Sequence, residues 1–440
     1  MTADVRDERG NPPGLRELPG PSGPNRRQLG LGLGLLAMSG VATSVPAAAA
    51  VPAARTAATA ATAKTADRDL FLPWVELHRS TLRKNVRALS QGAGGRSVCV
   101  VVKHHGYGMG AFNVAGATQD MPEVWGYMTT RPQEAMDMVR RGVRKPVLLH
   151  SPVDSTTAVA MVRAGVHLAV GAKDDAASLR RVRDAAGRPV RVHLDIDTGL
   201  NRQGMPDGLA SAWASRLWAS GAVEIRGTAS YFATGPVDDW ATKTDPFELE
   251  QISRFEGVVD SMRRAGVPVG HRHMVTSISY FQHPQAYFDM VRCGAVVYGG
   301  YPHDAWLKED RFGLEPVYDL RCRIAQVTQV KAGQGIGYAQ AFRPSEDVWI
   351  ATLLAGYLDG YRVEPTPQAN IQALVNGRLR RVVSLTGTHT VLVLGRDRDA
   401  DVGDVVTLLG RADPAIRPER VLGAYASYYF SPELARVVVD

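Results

Sequence analysis

The hydrophobic pattern splits the chain into two stretches with different rhythms. From Leu70 to about Leu314, short apolar runs alternate with amphipathic ones. The runs Ser97–Lys103, Val124–Thr129, Pro146–His150, His167–Val170, Val190–Asp195, Glu224–Ser230 and His273–Thr276 read as strands. Between several of them, Thr130–Arg141, Ser155–Ala164 and Pro246–Ala265 space their apolar residues as helices do. A repeated strand–helix order predicts a parallel α/β sheet. The number of repeats suits a barrel, although periodicity alone does not separate a barrel from an open sheet. After about Tyr318 the runs Leu320–Lys331, Asp347–Leu354, Ile371–Val375, Arg380–Thr386, Thr390–Leu394 and Val405–Leu408 follow one another through Gly-containing turns, with no long helix between them. The expected layout is an α/β domain over residues 69–317 and an all-β domain over 318–440.

The N-terminus breaks this pattern. A polar, Pro/Gly-rich start leads to Asn25-Arg26-Arg27-Gln28-Leu29, then to a mildly apolar Leu/Gly run from Gly30 to Ala42 and a small-residue stretch from Ser44 to Ala50. That is the order of a signal peptide. The Arg pair and the Gly-diluted apolar run point to twin-arginine export, with residues 1–50 as the signal and the Ala/Thr-rich residues 51–68 as a linker. The expected location is outside the cytoplasm.

Composition narrows the partners. With 440 residues, 45% hydrophobic and 22% charged, the chain can bury a large core. Its net charge of +7 is spread without a basic stripe, so no nucleic acid is expected. No later stretch is long and apolar enough for a membrane span. Three cysteines, Cys99, Cys293 and Cys322, do not make a disulfide framework.

The candidate chemistry starts at Lys103. An apolar strand ends there, and His104-His105-Gly106-Tyr107-Gly108-Met109-Gly110 follows. The C-terminal ends of barrel strands open into the active site, and partial desolvation of a lysine there lowers its pKa and frees its amine as a nucleophile.

The spacing K-x-x-x-Y-G-x-G resembles the cofactor motif of the alanine racemase family. Five further segments are similar to that family's and occur in its order: Trp74 to Leu89, Val192 to Gly204, Val291 to Gly299, Gly335 to Phe342 and Ala355 to Gly360. The resemblance implies a TIM-type (β/α)8 barrel followed by a β domain, pyridoxal 5'-phosphate as cofactor, and racemisation of a free amino acid by two bases. Lys103 would carry the cofactor and act as one base. Tyr338 would be the other, on the opposite face, supplied by the partner subunit of a homodimer. Arg292 would face the pyridine nitrogen, and Arg202 would lie near the phenolic oxygen and the substrate carboxylate. Tyr107, Ser277, the backbone amides of Gly294 and Ala295, and Tyr428 would hold the phosphate.

Four departures from the family follow. Tyr231 stands where the family has His, and could still relay a hydrogen bond. In Val383-Ser384-Leu385-Thr386, Leu385 and Thr386 replace a Met-Asp pair that lines the substrate entrance, with Thr388 and His389 nearby. Asp195 occupies the place of a carbamylated Lys and is a candidate partner for Arg202. His104 and His105 replace small or amide residues, and alternation along a strand would turn only one of them to the site. No metal site is expected. These changes keep alternatives open: another pyridoxal-phosphate reaction on the same scaffold, such as that of an aldolase, transaldolase or decarboxylase, or a non-catalytic binding protein.

Overall fold

A computed structural model describes residues 71–233, 245–366, 369–423 and 426–440. The expected signal peptide and linker lie outside the described residues, as does Thr234.

Among the described residues there are seventeen strands: β1 Trp74–His78, β2 Ser97–Val101, β3 Val124–Thr129, β4 Val147–Leu149, β5 His167–Val170, β6 Val190–Asp197, β7 Met205–Pro206, β8 Val223–Ala229, β9 His271–His273, β10 Met290–Cys293, β11 Tyr318–Val330, β12 Val348–Leu353, β13 Gln372–Val375, β14 Arg378–Leu385, β15 Thr390–Gly395, β16 Val405–Leu409 and β17 Ala435–Val439. Eight of them run parallel in the order β10-β2-β3-β4-β5-β6-β8-β9. Between β9 and β10 the ring is closed by a parallel bridge from Thr276 to Arg292, with the Arg292 N–H donating to the Val275 carbonyl at 3.0 Å. This is the (β/α)8 barrel, and its strands are buried almost throughout, as strands covered by helices on one side and filled on the other must be. The helices stop and start where local chemistry dictates. Asp245 caps Pro246–Arg264 by accepting the Phe247 N–H at 2.9 Å, and Pro246 takes the first helical position. Asp175 and Ser178 form a capping box on Ala176–Ala186, which ends at the left-handed Gly187.

The pattern over 271–293 resolves differently from the sequence expectation. The strand expected at His273–Thr276 is instead His271–His273, and β10 was recognised only as a motif, not as a strand. Its four residues include Arg292, a charge that hides the apolar run.

In the second domain β12-β15-β14-β13-β16-β11 pair in sequence, and β11 also pairs with β12, so these six strands close on themselves. The 13-residue β11 makes this possible: Leu320–Arg323 pair with β16 and Ile324–Val330 with β12. β1 joins this sheet and not the barrel. It lies antiparallel to β11, with Leu77 opposite Tyr318, and parallel to β17, with His78 opposite Val439. The α/β stretch therefore begins its chain in the neighbouring domain's sheet. Asp319 ties the seam: its Oδ2 accepts from Arg321 at 2.6 Å and lies 3.3 Å from His78 Nε2, and its Oδ1 accepts the Arg411 N–H at 3.2 Å. Buried residues of the barrel and the β domain form one continuous apolar cluster. No helix among the described residues is long and apolar enough to cross a membrane.

Candidate active site

A cavity of about 460 Å³ opens at the C-terminal ends of the barrel strands. Lys103 lies on its wall, half-buried, directly after β2. The chain then turns through four consecutive left-handed residues, His104 (φ 55°), His105 (φ 54°), Gly106 (φ 62°) and Tyr107 (φ 55°). Non-glycine residues adopt this conformation at a cost of about 1–3 kcal/mol each, so surrounding contacts must hold it. Glu134, buried on the helix Pro132–Arg140 that follows β3, does so by accepting the His105 N–H at 2.8 Å and the Thr129 hydroxyl. From the β domain, the Tyr428 carbonyl is 2.8 Å from His104 Nε2. Gly108 is packed so tightly on this segment that a Cβ would fall 2.1 Å from the Ser427 oxygen. The strand alternation expected for His104 and His105 does not apply in such a turn. Neither lines the cavity, and both are exposed.

Beside Lys103 lies a cradle of donors. Ser277 Oγ accepts the Gly294 N–H at 2.9 Å, and Ala295 opens a 3-10 turn directly after it. Tyr107 stacks on Tyr298 with ring centroids 4.8 Å apart and meets Tyr428 edge-on at 4.3 Å. A Cβ on Gly294 would stand 2.0 Å from the Tyr107 hydroxyl, so the phenol needs the space glycine leaves. Tyr107, Ser277, Gly294, Ala295 and Tyr428 all line the cavity. Burial pushes the Tyr428 phenol up from its ordinary value, so its hydroxyl keeps its proton and remains a donor.

Arg292 forms the floor, 1% exposed. Its Nη2 donates to the carbonyls of Ser230 at 2.6 Å and Met274 at 2.9 Å, its Nη1 donates to His273 Nδ1 at 2.9 Å, and its Nε is buried with no partner. Burial lowers its pKa and Tyr231 and Asp195 raise it, yet a guanidinium this far from neutrality stays charged. The ring of Tyr231 lies between two cations, 5.5 Å from Arg292 and 4.8 Å from Arg202. Tyr231 therefore bridges two guanidinium groups by its face, which is a different use from the hydrogen-bond relay the sequence suggested.

The wall across from the cradle holds residues that sequence reasoning passed over. His150 and Gln203 line the cavity. Gln203 Nε2 donates to Asp195 Oδ2 at 2.9 Å and lies 3.4 Å from His150 Nδ1; His150 Nε2 is 3.6 Å from the same carboxylate oxygen. The pairing of Asp195 with Arg202 suggested by the sequence is thus replaced by Asp195 with Gln203 and His150. Burial holds His150 well below the ordinary imidazole value, with Asp195 pulling the other way. The signal was available, because His150 ends a strand whose C-terminal end faces the site.

Tyr338, Leu385 and Thr386 do not reach this cavity. They sit together in the β domain, where a Cβ on Gly337 would meet Ser384 Oγ at 2.4 Å. Tyr338 is 81% exposed. Thr386 and His389 close a turn through the Thr386 N–H and the His389 carbonyl, 2.8 Å apart, and Thr388 and His389 are exposed.

Two sequence families match: the alanine racemase N-terminal domain over residues 77–302 and the alanine racemase C-terminal domain over 317–428. The chain is 30% identical to an alanine racemase of Symbiobacterium thermophilum, over 77% of this chain and 87% of that protein. It is 33% identical to one of Frankia casuarinae, over 76% and 85%. It is similar in structure to the alanine racemase of D-cycloserine-producing Streptomyces lavendulae, with a TM-score of 0.73 and 26% identity, covering 84% of this chain and 97% of that one.

Proposed function

This chain belongs to the alanine racemase family, and from that premise we propose that the cavity at the barrel mouth is where it interconverts the enantiomers of a free amino acid. The protein is a pyridoxal-phosphate-dependent amino-acid racemase, an isomerase. The site's residues fit the cofactor: an amine for its aldehyde, a cradle that only glycine at 294 leaves open for an anion, and a buried guanidinium with an unpartnered Nε. When bound, pyridoxal phosphate draws electrons from the α-carbon of an attached amino acid and so acidifies its proton.

The remaining chemistry belongs to the protein. Lys103 anchors the cofactor and holds or returns a proton at one face of the α-carbon. Tyr107, Ser277, Tyr428 and the amides of Gly294 and Ala295 bind phosphate. Arg292, with a buried Nε that has no partner, would face the pyridine nitrogen and offer it only donors, which would keep that nitrogen unprotonated, limit side reactions and favour prompt return of the proton. Arg202, over the Tyr231 ring, would lie near the cofactor's phenolic oxygen and the substrate carboxylate. Tyr338 serves as the base on the second face. Inversion needs two such groups, because a single base returns the proton to the side it came from.

We further propose a homodimer in which Tyr338, Leu385 and Thr386 of one copy complete the other copy's cavity. The observation behind this is the 81% exposure of Tyr338, on a domain surface that also exposes Tyr357 and Leu358. With Thr386 in place of an acid, that entrance carries one negative charge fewer. The Arg26-Arg27 pair supports export by a route that carries folded, cofactor-loaded protein.

The single observation that carries the reading is one cavity shared by Lys103, the anion cradle and Arg292. The test is incubation of the loaded enzyme with single L-amino acids in deuterated water, following chirality and α-deuterium together. Deuterium uptake with inversion is expected. A carbonyl product or carbon dioxide in its place would overturn it.

A further inference from the structure

Below Arg292, inside the barrel, three histidines lead away from the site in a file. Arg292 Nη1 is 2.9 Å from His273 Nδ1, His273 Nε2 is 2.8 Å from His193 Nδ1, and His193 Nε2 is 3.3 Å from His167 Nδ1. His273 and His193 are 0% exposed and His167 6%. His273 ends β9, His193 is midway along β6 and His167 opens β5, so the file runs from mouth to floor. Trp125 packs edge-on against His193 and His167, at 5.3 and 5.8 Å, and keeps the rings in line.

Donor and acceptor rules fix the direction. A guanidinium has five N–H groups and no acceptor. His273 Nδ1 must therefore accept, which puts its proton on Nε2. The same step repeats at His193, and again at His167, whose own Nε2–H then points away from the file. We propose that His273, His193 and His167 form a one-way relay of neutral imidazoles, each protonated on Nε2, that pins the guanidinium of Arg292 and makes it answer to protonation at the barrel floor.

The surroundings favour neutral rings. Burial comes first at all three. It holds His273 and His193 well below the ordinary value and lowers His167 to about 4. Arg292, His150 and His271 also lower His273 and His193. At the floor, Arg191, Arg226 and His271 lower His167 and only Glu224 raises it. A proton added at His167 goes to Nδ1, which then no longer accepts the Nε2–H of His193. That hydrogen bond is lost, and His193 and His273 are held in the file from the Arg292 end alone. No proton passes up the file, because each facing nitrogen keeps its own. The consequence is a looser hold on Arg292. Its meaning for the cofactor rests on the function proposed above, whereas the tautomers do not, so the two ideas fail separately.

The test is side-chain 15N NMR of the cofactor-loaded full chain, with each histidine assigned by single substitution. At pH 7 all three rings should be neutral and protonated on Nε2. An Nδ1–H tautomer or an imidazolium at any of them overturns the relay. In Arg292→Glu an acceptor replaces the donor, and the three tautomers should reverse; unchanged tautomers in a folded variant also overturn it. A second variant, His167→Leu, keeps the two deeper rings. As pH falls through about 4, where His167 takes up its proton, the absorbance of the bound cofactor should shift in the wild type and hold steady in His167→Leu. Equal shifts in both would refute the link to the floor. Absence of cofactor absorbance in the wild type would instead refute the cofactor assignment and leave the NMR result standing.

Discussion

The barrel mouth and the exposed face of the β domain carry the same family's motifs but differ in how complete they are. At the mouth, Gly294 is fixed on Ser277, Arg292 on carbonyls and a histidine, and Tyr107 between two tyrosine rings. On the β face, Tyr338 stands 81% exposed, in a turn of its own, with Ala339 and Gln340 at positive φ. A buried, fully braced constellation is ready to bind. An aromatic hydroxyl held out into solvent is built to be covered. On the function proposed above, the contrast puts cofactor capture and stereochemical inversion on different surfaces, the second completed by a partner copy.

The largest effects break this division outright. Lys103→Ala should abolish racemisation and covalent cofactor attachment, read from activity and from absorbance. Tyr338→Phe should lower the racemisation rate by about 10²- to 10⁴-fold, the usual worth of a general acid–base group, while cofactor affinity stays unchanged. Mixing the two variants after dissociation and reassociation should recover activity that neither has alone. Failure of recovery, with mixed dimers demonstrated, would place both bases in one chain.

Next in size is Gly294→Ala, which brings a methyl against the Tyr107 hydroxyl. Cofactor affinity by equilibrium dialysis should fall about tenfold or more, some 1.4 kcal/mol, without change at the β face.

Acid separates the two regions more gently. His150, His167, His193 and His273, all lowered by burial, belong to the barrel. Their folded pKa values lie below the unfolded value near 6.5, so the unfolded chain binds protons first as pH falls. Stability should be full above about pH 6.5 and decline below it, by up to about 1.4 kcal/mol per pH unit for each such histidine. Urea unfolding at pH 7 and pH 5 measures this; a barrel no weaker at pH 5 contradicts it.

The smallest effect lies at the seam. Asp319 is pushed up by burial but held below the ordinary carboxylate value on balance by its bonds with His78 and Arg321. It therefore contributes stability above about pH 4 that is lost as pH falls through its lower folded value. Asp319→Asn should cost about 1 kcal/mol at neutral pH, with the difference from the wild type shrinking in strong acid.

Much of the site was legible because strand ends are local features. Lys103, Tyr107, Ser277 and Arg292 each follow or close a short apolar run, and the cavity gathers all four. What stayed hidden depended on distant partners. β1 looks like the first strand of an α/β domain, but hydrogen-bonding choice placed it between β11 and β17, more than 240 residues away. Asp195, in the place of the family's carbamylated Lys, suggests a counter-charge for Arg202, whereas the structure turns it to Gln203 and His150. The left-handed turn at His104 and His105 defeats any argument from alternation, since its backbone is set by Glu134 and by the Tyr428 segment.

The placement of β1 also sets the order in which the chain can finish folding. Its parallel partner β17 is the last strand made, so Trp74–His78 waits with one edge open until residues 435–439 exist. Tyr428, Ser427 and the lysine turn meet only when that final segment arrives. Contacts of such sequence separation close late and slowly. The lysine turn is therefore braced only after the segment around Tyr428 has docked, and loss of residues 435–439 would leave β1 paired along its β11 edge alone.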